Sequence, residues 1–123
     1  MQFMMMVKSK ETQQMPPKEL MDEISKLAQK AVEEGRMVLT GGLLPTAMSS
    51  KVRIDRGKLS TIDGPFTETK EVVGGFAIFD FDSKAQAVDS AVKFMELHRK
   101  YWPGWDGECE VRQLYGPDDF PCK

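Results

Sequence analysis

A chain of 123 residues is the size of one domain with one hydrophobic core, and 41% hydrophobic with 29% charged residues is a globular balance, not that of a disordered chain. The formal charge is −2, with Lys and Arg scattered among Glu and Asp, which argues against a nucleic-acid partner because phosphate neutralisation needs a basic surplus or stripe. No apolar run approaches the ~20 residues that span a bilayer, and the apolar start Met1 to Val7 lacks the flanks of a signal peptide; no membrane partner and a cytoplasmic setting are expected.

In chain order, the first strand is expected over Gln2 to Lys8. Phe3, Met5 and Val7 share one face, Met4 and Met6 the other. Both faces are apolar, so the strand should lie between a helical layer and a second apolar layer. Met5 and its neighbours are adaptable packing that can also line a pocket. Pro17 opens a helix running to about Arg36, with Leu20, Ile24, Leu27, Ala28 and Ala31 as its apolar stripe and Gly35 as its stop. Met37 to Leu44 is the second strand, weakened by Gly41-Gly42 and ended by Pro45. Val52 and Ile54 lead through the turn Asp55-Arg56-Gly57-Lys58 to a partner strand over Leu59 to Ile62. Val72 to Phe81 is the strongest buried-strand pattern. Ser83 and Gln86 form a capping box for a second helix that ends near Tyr101, with a stripe of Val88, Ala91, Val92 and Met95. Glu108 to Tyr115 is the last strand.

The order is β-α-β, a hairpin, then β-α-β. This is an α+β class, ferredoxin-like βαββαβ with an inserted β-hairpin: a four-stranded antiparallel sheet with both helices on one face, in a single domain over residues 1–123. The other face is apolar, and pairing two such faces about a two-fold axis would cover it, so a homodimer is expected.

The stretch Ile62-Asp63-Gly64-Pro65-Phe66-Thr67-Glu68-Thr69-Lys70-Glu71-Val72-Val73-Gly74-Gly75-Phe76 closely resembles the signature of the DGPF group within the YCII-related proteins. Met4-Met5-Met6-Val7, Gly41-Gly42-Leu43-Leu44-Pro45 and Glu110-Val111-Arg112 fall where that group has similar residues, so the resemblance covers nearly the whole chain. It implies a ferredoxin-like fold that dimerises into an α+β barrel, in a cytoplasmic bacterial protein. Some members are genetically associated with alternative sigma factors. Other YCII-type proteins have a His and an Asp proposed as a catalytic pair. Here the first helix has no histidine and His98 ends the second helix, so that pair is not carried over.

Among candidate sites, Asp63-Gly64-Pro65-Phe66 reads first as a tight turn with Phe66 plugging the core, and alternatively as the rigid rim of a pocket at the barrel mouth. Glu68 and Lys70 point the same way, either as a solvated charge cluster or as a carboxylate and an ammonium that bind a polar substrate or move a proton. His98 suits the helix C-terminus electrostatically, and beside it Trp102 and Trp105 either close the core or form a stacking wall for a flat ligand. Asp63, Glu68 and His98 are the acid–base candidates; Phe66, Lys70, Trp102 and Trp105 are the ligand-binding ones. Cys109 and Cys122 read as thiols, with a Cys109–Cys122 staple as the alternative. One histidine and two distant cysteines do not make a zinc site, and neither Gly41-Gly42 nor Gly74-Gly75 has phosphate-loop spacing; a bulge or close packing explains them better, and no metal or cofactor is expected. Two functions stand: a cofactor-independent enzyme or binder of a small organic ligand, and a non-catalytic regulatory module linked to a sigma factor.

Overall fold

The computed structural model describes residues 1–12, 14–66 and 69–116. Its elements are β1 (Gln2–Ser9), α1 (Lys18–Glu33), β2 (Met37–Gly42), a 3-10 turn (Thr46–Met48), β3 (Ser50–Asp55), β4 (Lys58–Asp63), β5 (Val72–Asp80), α2 (Lys84–Tyr101) and β6 (Gly107–Gln113). β2, β5, β1 and β6 form one antiparallel sheet in that order, and β3 with β4 forms a separate two-stranded ribbon. This is the ferredoxin-like order with the expected inserted hairpin.

Local chemistry sets the boundaries. Helix α1 stops at Glu33, before the expected Arg36, because Gly35 takes a φ of 71° and the Gly35 and Arg36 amides bond back to the carbonyls of Val32 and Ala31. Strand β6 stops at Gln113 because its partner β1 runs out at Gln2. The capping box of α2 forms as expected: Ser83 Oγ accepts from the Gln86 amide, and Gln86 Oε1 accepts from the Asp82 amide. In the ribbon, Arg56 and Gly57 both have positive φ (52° and 79°), the geometry that matches strand twist in a two-residue hairpin.

The core lies between β1 and α2. Phe3 and Met5 are buried against Ala87 and Ala91, flanked by Phe79, Phe81, Cys109 and Val111. Two alanines let the helix approach the sheet closely. Consequently the inward face of α2 matches the expected stripe only in part: Ala91 is buried and Met95 half-buried as expected, but Ala87 and His98 are the other buried residues, whereas Val88 and Val92 are exposed. On the reverse face, Met4 stands opposite Ile78 and Met6 opposite Phe76, half-buried and without a covering layer among the described residues, with Leu39 exposed beside Ile78.

Ala91→Leu is expected to cost about 1–3 kcal/mol through overpacking, whereas Val92→Thr stays within about 0.5 kcal/mol. Urea denaturation of both variants checks this, and comparable losses would contradict the inward face assigned to α2.

Candidate functional site

At the end of the sheet where β1 finishes and β5 and β6 begin, a buried threonine organises the loop that follows the ribbon. Thr46 Oγ1 donates to Glu11 Oε1, and the Thr46 amide donates to Glu11 Oε2 at 2.7 Å. The same hydroxyl accepts from the Phe66 amide at 3.2 Å, and the Gly64 amide donates to the Ser49 carbonyl at 2.8 Å. A side chain at position 64 would sit on the Thr46 carbonyl oxygen, so only glycine fits. Phe66 is buried as expected, with the Lys51 ammonium 4.2 Å from its ring centroid and also bonded to Thr69 Oγ1. Asp63 is exposed, and its Oδ1 accepts from Ser50 Oγ across the ribbon at 2.7 Å. Lys70 is exposed. Glu68, and with it the expected Glu68–Lys70 pair, lies outside the described residues, as does Cys122.

Hydrogen bonds from the Thr46 side chain and then from its amide hold the Glu11 carboxyl below its ordinary value of 4.5. A depressed carboxyl stabilises the fold above its unfolded pKa, and that contribution disappears as pH falls through the folded value. Wild type should therefore exceed Glu11→Gln in stability by a constant margin near neutrality, and the margin should shrink as pH falls from about 5 to about 3. Denaturation across that range is the check; a pH-independent margin would remove Glu11 from the account.

The second group lies where α2 runs into β6. His98 is buried, and its Nδ1 lies 3.0 Å from the Phe94 carbonyl. Its ring packs at 4.7 Å from both Phe94 and Trp105, and Trp105 stacks on Trp102 at 5.7 Å. Trp105 also lies against the backbone at Gly107, where a Cβ would enter its ring. The structure thus brings His98, Trp102 and Trp105 together. It places them at the same end of the sheet as Asp63 and Phe66, although among the described residues no hydrogen bond or ring contact joins the two groups.

Of the residues in these two groups, only Phe94 also lines the cavity beneath the helices. That space, 740 Å³, lies between the helices and the β2–β5 half of the sheet. Ile24, Leu27 and Ala28 of α1 form its roof, and Met5, Val7 and Phe79 belong to its floor. Gly42 and Gly75 are cross-strand neighbours that also line it, so the floor lacks two side chains there. Gly74 is the extra residue where the register shifts between Val7 and Lys8, the bulge its sequence suggests. Around the rim stand Lys30, Glu34, Asp89 and Lys93, together with Arg36. The Arg36 guanidinium is held by the Asp80 carbonyl, the Asp82 carboxylate and the face of Phe81. Cys109 contributes a thiol to the wall, and burial pushes its pKa up, away from thiolate reactivity. The inner stripe of α1 and Met5 were legible in the sequence. Glu11 and Thr46 were not: they are 35 residues apart, and no local pattern joins them.

The model of the YCII-related domain matches residues 1–94, a span that includes β1 to β5 and the Asp63–Phe66 loop but ends before His98 and the two tryptophans. A curated protein of Rhizobium meliloti (strain 1021), described only as uncharacterised, is 33% identical over 104 residues, covering 83% of this chain and 80% of the relative. The sheet order, the hairpin inserted after β2 and these two matches together make the chain a member of the YCII-related family.

Proposed function

We propose that the chain is a small-molecule-binding protein whose site is the cavity beneath α1. The observation that carries this reading is a 740 Å³ space with a mainly apolar lining and charged groups at its rim. That size falls within the ~300–1,000 Å³ of sites that take small organic ligands. The lining suits a molecule with an apolar body and a polar end directed at Lys30, Lys93, Glu34 or Asp89. Asp63 and His98 fit this reading as parts of the frame, since each is engaged in an internal contact and neither lines the cavity. A pocket whose thiol is held protonated favours binding over covalent catalysis. The Asp63–Phe66 segment supports assignment to the DGPF type. A ligand-reading regulatory module is the second reading; its link to a sigma factor rests on the resemblance, and a sigma-factor gene beside this one would support it.

The setting is a reducing cytoplasm, in which Cys109 remains a free thiol. Among the described residues no helix is long and apolar enough to cross a membrane. The working unit is a homodimer closed through the reverse face of the sheet, where Met4, Met6, Phe76 and Ile78 have no covering layer among the described residues.

Titration with a fluorescent naphthylamine probe should give one site per chain. Ala28→Trp, which fills the cavity, should weaken binding at least about tenfold with an unchanged thermal melt. Ile78→Lys, on the other face, should leave probe affinity intact. Equal affinity in wild type and Ala28→Trp, or loss in Ile78→Lys instead, would put the probe elsewhere and overturn the reading.

In sedimentation equilibrium the wild type should be a dimer and Ile78→Lys a monomer, because a charge in the centre of the apolar contact has no partner. A monomeric wild type at micromolar concentration would refute the dimer.

A further inference from the structure

The ribbon β3–β4 turns an apolar row to solvent. On one face Lys51, over Phe66, and Ile62 are half-buried while Arg53, Lys58 and Ser60 are exposed; on the other face Val52, Ile54 and Leu59 are 70%, 74% and 71% exposed. Leu44 and Met48 near its base are similarly bare, at 70% and 71%. The two strands pair with each other and with no strand of the main sheet. Two-stranded ribbons are marginal on their own, and a row of apolar side chains pointing into water makes one worse.

We infer that the ribbon is an arm that packs on a second copy of this chain. This rests on the homodimer reading above, and it goes beyond it by adding a second contact outside the sheet-to-sheet face. Area argues for it first. The reverse face of a four-stranded sheet of this size supplies roughly 950 Å² when two copies meet, below the ~1,200–2,000 Å² of stable complexes. Two arms lying on partner surface add roughly 800 Å² and bring the interface into that range. Charge argues for it second. Residues 50–63 carry Lys51, Arg53, Arg56 and Lys58 against Asp55 and Asp63, a surplus of +2 in a chain of net −2, so the rest of the chain carries −4. Arg53, Arg56 and Lys58 form no ion pair among the described residues. The arm is thus basic and the rest of the chain acidic; Arg53 and Lys58 stand exposed on the face opposite the apolar row, where they border the contact, and a two-fold axis makes it reciprocal.

The test mixes two full-length forms. One carries a spin label at Arg56→Cys with Cys109→Ser and Cys122→Ser; the other is ¹⁵N-labelled and unmodified, so any paramagnetic broadening arises between copies. Broadening of a contiguous patch of partner amides, in a sample that sediments as a dimer, supports the arm. A dimer without such broadening overturns the arm and leaves the sheet-face dimer intact; a monomer overturns both. Val52→Thr/Ile54→Thr/Leu59→Thr should raise the dimer dissociation constant roughly 100-fold. Arg53→Glu/Lys58→Glu, which leaves the apolar row in place, should raise it roughly tenfold and reduce its salt dependence. An unchanged dissociation constant in both variants would refute the proposal.

Discussion

The architecture depends on β1. Like β5 it has ladder partners on both sides, β5 on one edge and β6 on the other, and it is apolar on both faces. Backbone groups in its middle are satisfied within the sheet, which permits deep burial there. Its odd-numbered side chains then decide one layer: Phe3 and Met5 fix where α2 sits through Ala87 and Ala91. Its even-numbered side chains decide the other: Met4 and Met6 leave an apolar surface that no described residue covers as a layer. A strand with period two cannot serve one layer without presenting the alternate residues to the other.

The same geometry explains why a cavity exists. Helix α2 approaches closely because it presents alanines to β1, whereas α1 faces the β2–β5 half with Ile24, Leu27 and Ala28 half-buried. Glycines at 42 and 75 remove the side chains that would otherwise fill the gap. Burial of Leu20 near the start of α1 and the glycine-terminated turn at its end fix the helix at both ends, leaving the middle to roof an open volume. Close packing on one half of the sheet and looser packing on the other are a usual arrangement where one side carries stability and the other a site.

The loop signature has a structural explanation that stands apart from ligand binding. Glycine at 64 is required by the Thr46 carbonyl, Phe66 is anchored by the Thr46 hydroxyl, and Glu11 anchors Thr46 in turn. A buried hydroxyl that both donates and accepts leaves no polar atom of its side chain unsatisfied. The short motif therefore reads as the visible part of a three-segment junction, tying the end of β1, the 3-10 turn and the ribbon exit together.

Much of this was determined by the sequence alone. The element order, the doubly apolar first strand, the capping box at Ser83, the Arg56-Gly57 turn and the bulge at Gly74 each follow from residues close in the chain, because caps, turns and alternation are local physics. Tertiary structure alone decided that Ala87, and not Val88 or Val92, joins Ala91 on the inward face of α2, since alanine and valine differ little in pattern and the choice turns on how closely the helix must approach Phe3 and Met5. It alone joined Glu11 to Thr46, stacked His98 on Trp105, and opened the space beneath α1. Those outcomes depend on distances between segments far apart in sequence, and no periodicity records a distance.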